Sequence, residues 1–347
     1  MKNKILIFSF IAACVLLLGF AGSNSEHSVS KKDVQLKIPR GFPTPFYDFK
    51  NNALSPEEFT LGRKLFYDPI LSSDSTVSCQ SCHQRVAAFA HIDHALSHGI
   101  EGKIGTRNVP ALQNLIWQTS YMWDGGVNNL EVQPINPITN PIEMNETLVH
   151  VIAKLRKNKD YVSLFKRAYK DTIINSERLL KSLSQFTGLM ISANSRYDKY
   201  MAGKDTFSLQ EKSGLEAFRI KCAACHQEPL FSDNSFRNNG LKPDTSLNDM
   251  GRAKISGAAE DNYKFRVPSL RNIEMTFPYM HDGRFRKLKD VLNHYSNAGN
   301  HLKDADAEIK NIGELSEKER KDIIAFLLTL TDKEFLYDKR FSDPGMK

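Results

Sequence analysis

Four of the five cysteines occur in two copies of one pattern, in which two cysteines are separated by two residues and followed by a histidine. The copies are Cys79, Cys82 and His83, then Cys222, Cys225 and His226. Two thiols at this spacing can form thioethers with the two vinyl groups of one porphyrin, and the adjacent imidazole can ligate the iron. The sequence therefore predicts two covalently attached c-type haems.

Other uses of paired cysteines fit this sequence less well. A thioredoxin-like redox pair would follow a strand and would need no trailing histidine. A zinc site built from two such pairs would usually place them closer together in the chain than positions 79 and 222. Five cysteines in 347 residues are too few for a disulfide scaffold.

The fifth cysteine, Cys14, lies in an apolar run from Ile5 to Ala21 that follows Lys2 and Lys4. This pattern predicts a secretory signal peptide over residues 1–22, so we expect a periplasmic protein. A lipoprotein anchored through Cys14 ranks second, because the apolar run continues after this residue. An uncleaved anchor ranks third, because the run is at the short limit for a span of about 20 residues.

A second set of residues recurs at an offset of 158 positions. Val109–Asn114 recurs as Val267–Asn272, and Met122–Gly125 recurs as Met280–Gly283 with the tryptophan of the first copy replaced by a histidine. Duplication of a whole haem domain explains the repeat. The single replacement suggests that the two halves have different roles.

Helix signals lie where a haem domain needs them. Ser55–Glu58 and Ser316–Glu319 read as N-terminal capping sequences, and the segment 209–222 leads into the second haem motif. Few stretches alternate as strands do. We predict a mainly α protein with two cytochrome c-like haem domains and long loops, at residues 40–205 and 206–340.

The formal net charge of +7 comes from 47 basic and 40 acidic residues. Haem propionates would offset much of this charge, so we predict no nucleic-acid partner. A remaining basic face would suit the docking of an acidic electron donor.

Taken in order, these motifs resemble the bacterial di-haem cytochrome c peroxidases, including their MauG-like branch. The resemblance spans nearly the whole mature chain and rests on both haem motifs, Arg107–Pro110, Trp123–Gly125, Asn140–Met144, Pro278–Gly283 and the closing helix. It implies an exported enzyme that reduces H₂O₂ with electrons from a small cytochrome c or cupredoxin, and it allows a homodimer. The alternative is a MauG-like enzyme that oxidises side chains of a partner protein through high-valent haem iron.

The resemblance also implies roles for individual residues. His83 would ligate the peroxidatic haem, and Glu143 would move a proton between the two oxygens of peroxide. Gln133 would hydrogen-bond those oxygens, and Trp123 would relay electrons between the haems. Without the motif context, Glu143, Gln133 and Trp123 would more simply be packing or solvated residues. We expect Trp117 to be a packing residue.

The sixth ligands of the two irons are open in the sequence. In peroxidases that must be reduced before they react, a loop histidine blocks the first iron, and His98 lies nearest to that position, although an ordinary surface histidine is the favoured interpretation. For the second haem, ligated by His226, Tyr295 stands where those peroxidases have Met, as in MauG-like members. Met275 and Met280 remain alternatives.

The family pattern further implies a calcium ion between the haems. Asn108 and the backbone carbonyls of Thr276 and Pro278 match its ligands. Ca²⁺ takes 6–8 oxygen ligands, so water would complete the shell.

Overall fold

The computed structural model describes residues 29–301 and 305–345. The predicted signal peptide and Cys14 lie outside these residues. Within them the protein is mainly helical, as predicted, and the regular sheet structure is a two-stranded antiparallel ladder of β1 (Phe236–Arg237) and β2 (Phe265–Arg266). No helix in this described part is long and apolar enough to cross a membrane.

The helices alternate with long loops and short 3₁₀ turns. Up to residue 205, the α-helices are α1 Pro56–Tyr67, α2 Cys79–Cys82, α3 Ile135–Thr139, α4 Leu148–Lys157, α5 Lys159–Tyr169, α6 Ser176–Gly188 and α7 Arg196–Met201. Beyond it they are α8 Leu209–Lys221, α9 Ala253–Ser256, α10 Leu288–His301, α11 Ala307–Lys310, α12 Glu317–Leu328 and α13 Lys333–Leu336.

The capping residues read from the sequence begin their helices. The Ser55 hydroxyl accepts from the Glu58 backbone N–H at 3.1 Å and starts α1. Ser316 and Glu319 form a reciprocal capping box that starts α12. Each satisfies backbone donors that the first helical turn leaves without an intrahelical partner.

In each half, the helix that precedes the haem motif crosses a later helix, and a glycine lies at the crossing point. A Cβ on Gly62 of α1 would lie 1.9 Å from the carbonyl oxygen of Ser182 in α6. A Cβ on Gly214 of α8 would lie 1.9 Å from the carbonyl oxygen of Asp322 in α12. The close backbone approach requires glycine at both positions, and it fixes the helix that leads to each haem motif.

Two hydrophobic clusters form the interior of the part of the chain that the structure describes. The first includes the buried rings of Phe59, Phe66, Phe89 and Phe186. The second includes Phe218, Phe231, Phe326 and Leu330. Near the end of the chain, Phe335 and Phe341 pack in the first cluster, so the C-terminal segment returns to the N-terminal half. The boundaries 40–205 and 206–340 remain predictions.

The sequence repeat has the same local structure in both copies. Asn114 and Asn272 have left-handed φ values of 54° and 56° and each precedes a 3₁₀ turn. Gly125 and Gly283, which end the shorter motif, both have φ of 69°. This agreement supports duplication of one structural unit.

The repeat segments also contact each other across the molecule. The Gln113 side-chain amide donates to the Arg271 carbonyl at 2.6 Å, and Asn272 donates to the side-chain oxygen of Gln113. Asn272 also donates to the Ser192 hydroxyl at 2.9 Å. Because these groups are buried and paired, they hold the two halves in one arrangement.

Candidate functional site

The imidazole of the first haem motif is oriented by a backbone hydrogen bond. The Nδ1–H of His83 donates to the Phe89 carbonyl at 2.7 Å, and the ring also interacts with the backbone of Pro110, so its orientation is fixed. Burial lowers the pKa of His83 to about 4, so the ring is neutral at pH 7. A neutral, oriented imidazole beside the unpaired thiols of Cys79 and Cys82 fits covalent haem attachment.

The second haem motif has the same arrangement. The Nδ1–H of His226 donates to the Phe231 carbonyl at 3.0 Å, and burial lowers the pKa of the ring. Cys222, Cys225 and His226 line a largely apolar cavity with about 1470 Å³ of empty space, its open mouth included. An apolar cavity lined by two thiols and an imidazole is the environment that a covalently attached porphyrin requires.

The other possible uses of these cysteines do not fit the structure. Burial raises the pKa of Cys79 and of Cys222 to about 12, which disfavours a reactive thiolate. Cys79 packs against the first cluster and Cys222 against the second, so the two pairs do not share a zinc ion. In the described residues, no group of three or more His, Cys, Asp or Glu side chains is arranged to hold a metal ion.

Glu143 lies beside the first haem motif. Its backbone carbonyl accepts from the Ile100 N–H at 2.8 Å, in the loop whose His98 carbonyl lies 3.4 Å from the Cys82 sulfur. Gly99 allows this approach, because a Cβ there would lie 2.0 Å from the Ile142 carbonyl oxygen.

The Glu143 carboxyl group is oriented and partly removed from water. The side-chain amide of Asn140 donates to its Oε1 at 2.8 Å. Burial raises the pKa of Glu143, and the Asn140 hydrogen bond opposes this rise only in part. A raised pKa brings a carboxyl group closer to the range in which it can both take up and release a proton.

Gln133 lies ten positions before Glu143 in the chain. Its side-chain amide nitrogen is 3.7 Å from the sulfur of Met122, the residue before Trp123. The half-buried Gln133 side chain is therefore held close to the tryptophan motif.

Trp123 joins the first half to the cavity of the second haem motif. Its indole N–H donates to the Asn108 carbonyl at 2.8 Å, and its own carbonyl accepts from the Arg266 N–H at 2.7 Å. Trp123 is buried and lines the cavity that also contains His226. By contrast, Trp117 packs in the first cluster, with its N–H donating to the Pro43 carbonyl at 2.7 Å.

The cavity of the second motif contains two of the predicted sixth-ligand candidates. Tyr295 of α10 and Met280 both line it, whereas Met275 packs against the first cluster. Burial raises the pKa of Tyr295 to about 12. Asn239 lies between the candidates, since its side-chain nitrogen is 3.5 Å from the Met280 sulfur and it also hydrogen-bonds the Tyr295 side chain.

The three histidines after the first motif lie together. The rings of His91 and His94 are stacked with centroids 5.3 Å apart, and those of His94 and His98 are 4.3 Å apart. Nδ1 of His98 donates to the Leu96 carbonyl at 3.0 Å. This local bond leaves Nε2 of His98 as its free nitrogen, and ligation of the first iron by His98 stays a prediction.

The predicted calcium ligands line one cavity. Asn108, Thr276 and Pro278 all border the space that contains Trp123. The Asn108 amide nitrogen donates to the Ala95 carbonyl at 2.8 Å, so the side-chain oxygen is the atom left for an ion. This donor set of one amide oxygen and two carbonyls is compatible with Ca²⁺.

Several residues of this region were not identified from the sequence. Asn140 stands three positions before Glu143 in one motif, so its spacing could have indicated its orienting role. Asn239 and Asp249 have no motif around them. Their positions beside Tyr295 and Arg107 follow from the tertiary structure alone.

Comparisons with known proteins agree with this geometry. The sequence profile of the di-haem cytochrome c peroxidases matches residues 56–206. The methylamine utilization protein MauG of Methylorubrum extorquens is 34% identical over 313 residues, covering 88% of this chain and 86% of that protein. The cytochrome c551 peroxidase of Pseudomonas aeruginosa is 29% identical over 331 residues, covering 92% of this chain and 91% of that protein.

Solved structures give the same fold. The crystal structure of a MauG-like protein associated with microbial copper homeostasis superposes with a TM-score of 0.82 at 31% identity, covering 89% of this chain and 99% of that one. The diheme peroxidase BthA of Burkholderia thailandensis gives a TM-score of 0.69 at 22% identity, covering 81% of this chain and 87% of that one. The two cytochrome c-like haem domains predicted from the sequence are thereby confirmed as the fold class.

Proposed function

Since the chain belongs to the di-haem cytochrome c peroxidase family, we propose that it is an exported peroxidase that reduces H₂O₂ to water with electrons from a small redox protein. One H₂O₂ takes up two electrons and two protons and gives two water molecules, while two one-electron donors are oxidised. Bound haem supplies the redox-active iron in each half. Cys79, Cys82 and His83 would hold the first haem, and Cys222, Cys225 and His226 the second.

The observation on which this proposal chiefly rests is the placement of Glu143. Its carboxyl group is oriented by Asn140 and lies in the segment packed beside the loop next to Cys82. There it would take a proton from one oxygen of peroxide and deliver it to the other, so that the second oxygen leaves as water. Gln133 would orient the substrate by donating a hydrogen bond to it.

Electrons would enter at the second half and cross to the first through Trp123. The indole is buried, lines the cavity of the second haem motif and is anchored on Asn108 of the first half. A calcium ion bound by Asn108, Thr276 and Pro278 would support the same region. We place the mature enzyme in the periplasm, where a small cytochrome c or cupredoxin would act as donor.

The test is Glu143→Gln in the protein with both haems attached. The amide keeps the size of the side chain but cannot transfer the proton, so turnover of peroxide with a reduced donor cytochrome should fall about 100- to 10,000-fold. Haem content and spectra should be unchanged. Glu131→Gln is the matched control, since the Glu131 carboxylate accepts from the Tyr47 hydroxyl at 2.7 Å. Full turnover in Glu143→Gln would disprove the proton-transfer role.

A second function is favoured by Tyr295. Its presence in the cavity of the second motif, together with the similarity to MauG, supports a MauG-like enzyme that oxidises side chains of a partner protein. Peroxide added to the fully oxidised protein without a donor separates the two functions. A change in the absorbance of both haems supports the MauG-like function, and no reaction before reduction of the second haem supports the peroxidase.

A further inference from the structure

The second half contains a loop that contacts the turn at Trp123–Gly125 of the first half. The segment between the haem motif and the repeat is fifteen residues longer in the second half than in the first half. We call residues 239–264 of this region the insert loop. It includes α9 and ends beside β2, whose Arg266 N–H donates to the Trp123 carbonyl at 2.7 Å. The extra chain is therefore adjacent to the proposed electron path.

A buried ion network joins the insert loop to the two segments that hold Trp123. The Arg107 guanidinium makes two hydrogen bonds to the Asp249 carboxylate, Nε to Oδ2 at 2.6 Å and Nη2 to Oδ1 at 2.7 Å. Its Nη1 donates to Asp124 Oδ2 at 2.6 Å. The side chain of Asp249 is only 5% exposed. A bidentate contact of this kind fixes geometry as well as contributing energy.

The network flanks the hydrogen bond that anchors the indole. Arg107 precedes Asn108, whose carbonyl accepts from the Trp123 N–H at 2.8 Å, and Asp124 follows Trp123. The two chain segments are thus joined twice, once through the indole and once through the Arg107–Asp124 pair. Separation of the two segments would need both contacts to break.

A second arginine attaches the insert loop to the same turn. Arg252 Nη1 donates to the carbonyls of Asp124 and Gly125 at 2.9 and 3.1 Å. Its guanidinium also lies 4.6 Å from the centre of the Phe236 ring. Asp249 and Arg252 together cover this turn from one side.

The duplicated turn of the second half contacts the first half through its backbone, since the Asn108 N–H donates to the His281 carbonyl at 2.6 Å, but it has no corresponding ion network among the described residues. At the position of Arg107 it has Phe265, which stacks on His281 at 3.7 Å between centroids. Asp282, the counterpart of Asp124, is paired with Arg284 in its own turn. Within the described residues, each turn accepts a backbone hydrogen bond from the other half, but the ion pairs from the other half are found at the copy with the tryptophan. This difference indicates a role connected with Trp123.

We propose that Arg107 and Asp249 are positioning residues that hold Trp123 in the geometry required for electron transfer between the halves. This inference rests on the proposed relay through Trp123.

The experiment compares Asp249→Asn with Asp244→Asn in the protein with both haems attached. The first removes the buried charge at nearly constant size, whereas Asp244 is an exposed residue of the same loop bonded to Ser246. Electron transfer between the haems, followed after rapid reduction of the second haem, should slow at least about tenfold in Asp249→Asn, equivalent to about 1.4 kcal/mol in the barrier. Asp244→Asn should match the wild type.

A second measurement does not depend on the haem reaction. Hydrogen–deuterium exchange at the Arg266 amide, which donates to Trp123, should become faster in Asp249→Asn and not in Asp244→Asn. Faster exchange with unchanged electron transfer would overturn the positioning role and leave a structural brace. If Asp249→Asn fails to incorporate haem, Arg107→Lys keeps the charge but loses the bidentate contact, and it should show the same slowing.

Trp123→Phe separates this inference from the relay itself. If Trp123→Phe slows electron transfer and Asp249→Asn does not, the relay stands and the positioning role is wrong. If Trp123→Phe leaves the rate unchanged, the relay is wrong and the positioning role has no basis.

Discussion

The glycine at the crossing of α8 and α12 offers a direct test of how the fold positions a haem. Gly214 lies eight residues before Cys222, on the helix that leads into the second haem motif. In Gly214→Ala the added Cβ would lie 1.9 Å from the Asp322 carbonyl oxygen and 2.9 Å from the Phe326 Cβ. Ordinary contact begins at 3.4 Å, so the two helices must separate by up to about 1.5 Å.

The expected loss of stability follows from this overlap. Overpacking a core costs about 1–3 kcal/mol, and the obstructing atom belongs to the backbone, so we expect the upper end. Replacing glycine by alanine inside a helix returns about 1 kcal/mol. The net destabilisation is about 2 kcal/mol, and at roughly 1.5 °C per kcal/mol for a chain of this length the Tm should fall by about 3 °C.

The assay is thermal unfolding of the haem-loaded protein, followed by circular dichroism at 222 nm and by Soret absorbance. The Soret transition should shift with the helical one, because α8 connects directly to Cys222. Gly62→Ala makes the same test in the first half. Glu216→Ala, on the exposed side of α8, is the control and should leave the Tm within about 1 °C.

An unchanged or raised Tm in Gly214→Ala would refute the reasoning. Stabilisation by about 1 kcal/mol would mean that helix propensity alone decides the outcome and that the crossing has room for a methyl group.

Three further predictions concern the ligands, the interface and the ion. Tyr295→Met should raise the reduction potential of the second haem and introduce the near-infrared band of His/Met ligation, and a wild type that already shows this band would exclude tyrosine ligation. Burial opposes ionisation of Asp198, but the two hydrogen bonds and the charge of the buried Arg271 outweigh it and hold the pKa below 3.8. Because the folded pKa is depressed, the stability from this pair is present above pH 3.8 and is lost as the pH falls through the folded pKa. As the pH is lowered below 3.8, the urea midpoint of unfolding should therefore drop more in the wild type than in Asp198→Asn. Removal of calcium with EGTA should slow electron transfer between the haems in the wild type but not in Asn108→Ala, and an equal effect in both would exclude Asn108 as a ligand.

Much of the fold could be predicted because its signals are local. The capping residues Ser55 and Ser316 act on backbone groups within the next three positions, and both begin the helices expected of them. The repeat at an offset of 158 positions has the same backbone conformation in both copies at Asn114 and Asn272. The return of Phe341 to the first cluster had no such signal, since aromatic residues pack wherever an apolar surface is available.

The candidate site divides in a similar way. A contiguous motif pointed to Glu143, and the neighbouring Asn140 that orients its carboxyl group lies in the same motif. The partner of Arg107 could not be inferred, because Asp249 is 142 positions away in an unremarkable loop. The positions of the candidate sixth ligands also needed the structure, which places Tyr295 and Met280 in the cavity of the second motif and Met275 against the first cluster.

The sequence by itself determined the covalent chemistry of this protein, because two thioethers and one iron ligand require fixed spacing along the chain. It also determined the duplication and the order of the two haems. Only the tertiary structure decided how the halves meet around Trp123, through the Asn108 carbonyl, Asp249 and Arg252. Such contacts require only that two groups lie close together in space, and any part of a folded chain can supply them. They therefore cannot be predicted from the spacing of residues along the chain.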